Sequence, residues 1–180
     1  LGQGWLQEGG VLSPWRYINM VAAALALGEQ SWARKFITDY QEQLPKDQRE
    51  NAYHYALGHY FYERKMLSNA QQHLMQVVFE EPLFNAGVRL LTAKVLYDAG
   101  EEELLHNQLE ANRLFFLRDT TIDDRRKAQL EAFNHFLRRL ARIPDFDKAA
   151  LEDLRATLPG PTQIISHAWL AERLAQRLEL

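Results

Sequence analysis

The chain has 180 residues, 47% of them apolar, 25% charged and 11% aromatic, enough to bury roughly 70% of the surface that the unfolded chain exposes. That composition excludes a disordered tail or a collagen-like chain, and the formal net charge of −3 supplies no field to gather a polyanion, which disfavours nucleic acid as a partner. There is no cysteine, so disulfide scaffolds, thiolate metal sites and thiol nucleophiles are excluded.

The longest unbroken apolar run, residues 20–27, has eight residues against the ~20 of a spanning helix. No membrane partner is expected, and the cytoplasm is the expected compartment. The chain starts at Leu1 and not at Met, as a processed chain or a piece of a longer one does, which leaves an upstream signal peptide open.

Residues 1–13 hold four of the nine glycines together with Trp5, Leu6, Val11 and Leu12. They read as the frayed end of a preceding helix pair, leaving Trp15 and Ile18 on an open surface through which the chain would self-associate. Beyond them Gly and Pro stand singly at long intervals, and apolar residues recur at three and four, the helical period. The predicted helices are 14–27, 30–44, 48–64, 67–80, 83–99, 101–118, 122–142, 147–157 and 165–179, with no strand. Ser13 before Pro14 offers an N-cap, and Asp47 with Glu50 and Thr121 with Asp124 read as capping boxes. Leu170, Leu174 and Leu178, with Trp169 beside them, form the stripe of a closing helix.

A shift of 37 residues places Met20 on Leu57, Ala24 on Phe61, Ala33 on Ala70, Ile37 on Leu74 and Pro45 on Pro82; a further shift of 34 places Leu57 on Leu91, and one of 35 brings Leu74 onto Leu109. Each unit is a pair of helices with one apolar stripe apiece, and such stripes are buried by stacking. Leu57, Gly58, Phe61, Ala70, Leu74 and Pro82, and before them Tyr17, Met20, Gly28, Ala33, Ile37 and Pro45, resemble the signature of the tetratricopeptide repeat family over residues 14–118. The runs 32–37, 40–45, 49–53, 90–94 and 169–174 resemble the C-terminal part of large, uncharacterised bacterial repeat proteins from Bacteroidota.

Catalytic constellations are thin. None of the six histidines pairs with another at the i, i+4 spacing of a zinc-protease helix, and no nucleophile elbow or phosphate-binding loop occurs. Glu102, His106 and Glu110 share a helix face, yet such a row is ordinarily a solvated one; no metal and no cofactor are expected. From Arg113 to Arg142 eight basic residues face four acids, with Arg138 and Arg142 opposite the apolar stripe of Phe133, Phe136, Leu137 and Leu140. Trp32, Phe36, Tyr40, Phe61, Phe79, Phe115, Phe133 and Phe136 take helix-packing offsets and read as core.

The family resemblance implies that the first helix of each pair lines a concave surface, with Trp15, Ile18 and Ala22, then Tyr55, His59 and Tyr62, then Arg89, Ala93 and Tyr97 inward. Tyr, Trp and Arg are the side chains that anchor interfaces, so Tyr55, His59, Tyr62, Arg89 and Tyr97 are the candidate partner contacts, expected to be partly exposed. In the alternative, Trp15 and Ile18 pack on a preceding repeat and the tyrosines on each other. The carboxylate clamp of chaperone-binding family members, two lysines and two asparagines, is absent.

The expectation is an all-α protein: an α-α superhelix of three tetratricopeptide-like pairs over 14–118, closed by a C-terminal helical section over 119–180. Its expected role is that of a non-catalytic scaffold for a protein or peptide. The other reading is a regulatory or nucleic-acid-associated module using the Arg-rich segment 113–142, which salt would distinguish.

Overall fold

The computed structural model describes residues 7–8, 11–78 and 80–179. Among the described residues the regular structure is helical save for a short N-terminal ladder: β1 (Gln7–Glu8), β2 (Val11–Leu12), α1 (Pro14–Ala26), α2 (Gln30–Tyr40), α3 (Arg49–Glu63), α4 (Leu67–Leu74), α5 (Pro82–Asp98), α6 (Glu102–Arg118), α7 (Asp124–Arg142), α8 (Lys148–Ala156) and α9 (His167–Glu179). The ladder departs from the expectation of no strand; the reading of residues 1–13 as the frayed end of a preceding helix pair falls mostly outside the described residues. Gln7 pairs with Leu12 and Glu8 with Val11, antiparallel, and the two residues between them in sequence are both glycine. Leu12 is fully buried, whereas Trp5 and Leu6 lie outside the described residues.

One turn is built three times. Gly28, Lys65 and Gly100 have φ of 78°, 59° and 71°, at the offsets found by self-comparison, and the residues after them, Glu29, Met66 and Glu101, have ψ of 55°, 67° and 71° before the next helix begins. At the first turn Gly28 N–H donates to Leu25 O (3.0 Å) and Glu29 N–H to Ala24 O (2.9 Å); at the second, Lys65 N–H donates to Tyr62 O and Met66 N–H to Phe61 O, both 2.9 Å. This double bond onto the last helical carbonyls needs a left-handed residue just past the helix. Each turn stops one helix and leads to the next within three residues.

The chain divides into two compact units, Leu1–Ala99 and Gly100–Leu180, so α5 and α6, expected as a third pair, fall in different units. In the first, α1 packs on α2 and α3, and α3 packs on α4 and α5. Tyr17, Val21, Phe36, Ile37, Ala52 and Leu57 form one buried cluster, and Tyr62, Ala70, Leu74, Leu91 and Val95 another. Gly58 lets α4 approach, since a Cβ there would lie 2.7 Å from Leu74 Cδ2 and 2.8 Å from its Cγ. In the second unit α7 packs on α6, α8 and α9, with Leu130, Phe133, Leu137, Leu140, Leu151, Leu154, Leu170 and Leu174 buried.

Several local expectations change. Helix α4 ends at Leu74, not at residue 80, because Asn51 of α3 holds the backbone of Val78 from both sides: its Nδ2 donates to Val78 O (2.7 Å) and its Oδ1 accepts from Val78 N–H (2.9 Å). A residue so paired has no use for helical partners. The Asp47–Glu50 box does not form, as α3 opens on Gln48 without a side-chain cap. At α7 the cap is Asp123, accepting from Arg126 N–H at 2.9 Å, while Asp119 and not Thr121 gathers the preceding N–H groups of Thr121 and Ile122. Phe79 lies outside the described residues, and Trp32 is exposed at the end of a stacked row with Phe36 and Tyr40.

Candidate functional site

The side of α3 that meets α5 carries Tyr55, His59, Tyr62 and Glu63, and α5 answers with Gly87, Lys94 and Asp98. Two contacts fix this pairing. The Tyr55 phenol lies over Gly87, where a Cβ would come 3.1 Å from its Oη, and Tyr62 Oη donates to Asp98 Oδ2 at 2.8 Å. Glycine at 87 is therefore what admits the Tyr55 ring between the helices. Burial pushes the Tyr55 phenol up to about 12, so it stays a neutral donor.

Tyr62 overturns one expectation. It is 4% exposed and belongs to the core cluster with Leu74 and Val95, with Lys65 Nζ 5.5 Å from its ring centroid. Its hydroxyl has a carboxylate to bond on the next helix, and that partner makes burial of an otherwise polar ring affordable. The side chain is therefore core and not the partly exposed partner contact that the sequence led us to expect. Ile18, expected on an open surface, is likewise buried at 7%, and Trp15, 39% exposed, stacks on Phe84 with centroids 3.9 Å apart.

His59, Arg89 and Tyr97 are half-buried. His59 Nε2 stands 3.6 Å from Glu63 Oε1. The Glu63 carboxyl sits below the usual carboxylate range, chiefly through His59 as donor, with burial opposing and the charges of His59, Lys65 and Lys94 adding. Arg89 Nε donates to Asn85 Oδ1 at 2.8 Å, and burial lowers the guanidinium below its usual value while leaving it charged. The face thus presents a desolvated cation, an imidazole and a phenol. Groups of these kinds can anchor a bound partner.

In the second unit the Arg-rich segment is partly neutralised from within. Glu110 of α6 receives Arg113 at 2.6 Å and Arg138 at 3.0 Å, and both lower its carboxyl, Arg113 first. Arg138, expected on a solvent face, instead reaches across to α6, and the carboxylate that the Glu102–His106–Glu110 row would lend to a metal is engaged. Lys127 Nζ donates to Asp119 O at 3.1 Å.

Sequence reasoning missed His54 with His73 and the clamp of Asn51 on Val78, because neither pair is close along the chain; only the folding of α4 against α3 brings them together. Among the described residues no helix is long and apolar enough to cross a membrane. No protein-family model, curated protein or solved structure matches the chain.

Proposed function

We propose that this chain is a non-catalytic, tetratricopeptide-like binding module that holds a peptide or protein segment on the α3–α5 face of its first unit. The observation that carries this reading is the turn repeated at Gly28, Lys65 and Gly100, with α1, α3 and α5 as the first helices of the repeated pairs. Packing of α1 on α3 and of α3 on α5 supports a shared face of first helices, as a stacked array has. Tyr55, His59, Arg89 and Tyr97 are the contacts, and the half-buried Arg89 is the anchor, because a cation already stripped of part of its water binds a carboxylate or carbonyl at reduced desolvation cost. The double use of Glu110 by Arg113 and Arg138 weakens the rival reading, an anion-binding 113–142 surface.

Selection from a displayed random-peptide library tests the proposal. Enriched peptides should perturb the amide resonances of α3 and α5, and Arg89→Ala with Tyr97→Ala should weaken them at least about tenfold while shifting stability by no more than about 1 kcal/mol. Perturbations centred on Arg118, Arg125 and Arg142, with affinity falling steeply in salt, would transfer the function to the Arg-rich segment.

A further inference from the structure

The α3–α4 seam contains a second polar device, separate from the α3–α5 face. His54 Nδ1 and His73 Nδ1 are 2.8 Å apart, and their ring centroids are 5.1 Å apart with planes inclined at 30°. The centroid separation exceeds the N···N distance by about one ring radius at each end, so both centroids and both nitrogens lie nearly on one line. Each nitrogen therefore points straight at the other, which is the alignment of a hydrogen bond. Two imidazoles sharing a metal at ~2.0–2.1 Å would instead converge on a third point beside them, drawing the ring centres closer at the same N···N distance.

A neutral imidazole has one N–H and one lone pair, so this contact needs a proton on one Nδ1 and none on the other. The surroundings decide which. His54 Nε2 faces Glu50 Oε2 at 3.6 Å, with the His54 side chain 16% exposed and the Glu50 side chain 79%, and the edge of His54 meets Tyr53. A carboxylate there favours a proton on His54 Nε2. His73 lies flat on Phe61, with centroids 5.4 Å apart and planes at 6°. The charges acting on it are those of His54 on α3 and Arg34 on α2; among the described residues α5 adds none.

We propose that His54 and His73 are a proton-sharing latch that holds α4 on α3 while the pair carries at most one positive charge, and that a second proton opens it. In the singly charged pair His54 holds both of its protons, Nε2–H toward Glu50 and Nδ1–H donating to the lone pair of His73 Nδ1, while His73 keeps its own proton on Nε2. A further proton from solvent occupies that lone pair. No acceptor is left on the axis, two N–H groups face each other, and two imidazolium charges stand together with Arg34 nearby.

The energetic direction agrees. Burial first, then the charges of His54 and Arg34, hold His73 below the ordinary histidine value. A depressed value in the folded state means that the open form binds protons more tightly, so the latch contributes fully above the ordinary value of ~6.5 and its contribution is lost as pH falls through the lower folded value. What is released is small and local. Helix α4 has eight residues, seated by this pair, by Ala70 and Leu74 in the cluster with Tyr62, Leu91 and Val95, by Leu74 against Gly58, and by Asn51 on Val78.

Nitrogen-15 imidazole spectra of the full chain, titrated from pH 8 to pH 4.5, test the latch together with amide exchange in α4. The expected result is a His54 signal protonated on Nε2 throughout, a His73 titration well below that of an unfolded control, and α4 protection that falls by up to about tenfold for each pH unit between the ordinary histidine value and the lower value at which folded His73 titrates, levelling off below it. In His73→Gln that acid-dependent loss should vanish while α5 exchange stays as in the parent. Independent titration of both rings at their ordinary values would overturn the proposal, as would α4 protection that responds to acid equally in parent and variant. Addition of nickel or zinc ions is the remaining arm: metal-induced shifts confined to both Nδ1 atoms would replace the shared proton with a chelate and overturn it too.

Discussion

Tyr62 and Arg89 sit on neighbouring helices and each carries a polar tip, yet Tyr62 is core and Arg89 is half-buried. The Tyr62 hydroxyl ends on Asp98 with its ring among Ala70, Leu74, Leu91 and Val95, while Arg89 donates from Nε to Asn85 on its own helix. Tyr62→Ala should therefore lower the unfolding free energy by ~3–5 kcal/mol. Tyr62→Phe, which removes the hydroxyl alone, should lower it by ~0.5–1.5 kcal/mol. Urea titration of both variants distinguishes this from a surface tyrosine, for which each change would be near zero. Gly58 makes a similar case without a side chain. Because the clash of a new Cβ is with Leu74 Cγ as well as Cδ2, rotation of a terminal methyl does not relieve it and either the whole Leu74 side chain or α4 must shift, so Gly58→Ala should cost ~1–3 kcal/mol.

At the scale of the element, the repeated turn places an identical backbone demand on different residues. Gly28 meets it at no steric cost, and a Cβ there would touch nothing within 4 Å. Lys65 meets it as an L-residue with φ of 59°, a conformation that costs roughly 1–2 kcal/mol. Part of that is offset by the position of its ammonium over the Tyr62 ring, worth ~0.5–1 kcal/mol where exposed, and part by the greater freedom of glycine in the unfolded chain. Gly28→Ala should then destabilise by ~0.5–1 kcal/mol with no clash to blame, whereas Lys65→Gly should be neutral or stabilising by at most ~0.5 kcal/mol. Thermal melts of the two variants moving in the same direction would contradict an equivalent turn at both sites.

For the molecule as a whole, the C-terminal helix is the element whose removal should be felt most. Leu170 and Leu174 are fully buried, and Arg177 ties α9 to the end of α7: Nη1 donates to Leu140 O at 2.6 Å, Nη2 to Ile143 O, and Nε to Asp145 Oδ1 at 2.6 Å. Lys148 Nζ in turn donates to Arg177 O at 2.7 Å. One planar guanidinium thereby bonds two carbonyls at the C-terminal end of α7, where backbone acceptors outnumber backbone donors, Leu140 O also accepting from Ile143 N–H at 3.3 Å. Arg177→Ala should destabilise the second unit by ~2–3 kcal/mol, and Arg177→Lys should recover less than half, because an ammonium cannot reproduce the fork. Equal stability of the Lys variant and the parent, read by denaturant melts, would show that charge alone suffices.

The amino-acid sequence by itself determined where the helices lie: Pro14, Gly28, Gly100 and the three-and-four spacing between them act through neighbours along the chain, so α1 and α6 end within a residue or two of the predicted limits. It also determined that a 37-residue period exists, since the turns at Gly28 and Lys65 obey it. Tertiary structure decided which faces of those helices are covered. Tyr62 is core because Asp98 happens to lie opposite it, α4 stops at Leu74 because Asn51 takes the backbone of Val78, and Arg138 leaves solvent because Glu110 waits on α6. The histidine pair is the extreme case, nineteen residues apart along the chain and in no helical register, so that its hydrogen bond exists only once α4 has folded onto α3. Periodicity reports the shape of an element from its own residues; burial and hydrogen-bond pairing depend on the neighbour, and no local pattern carries that information.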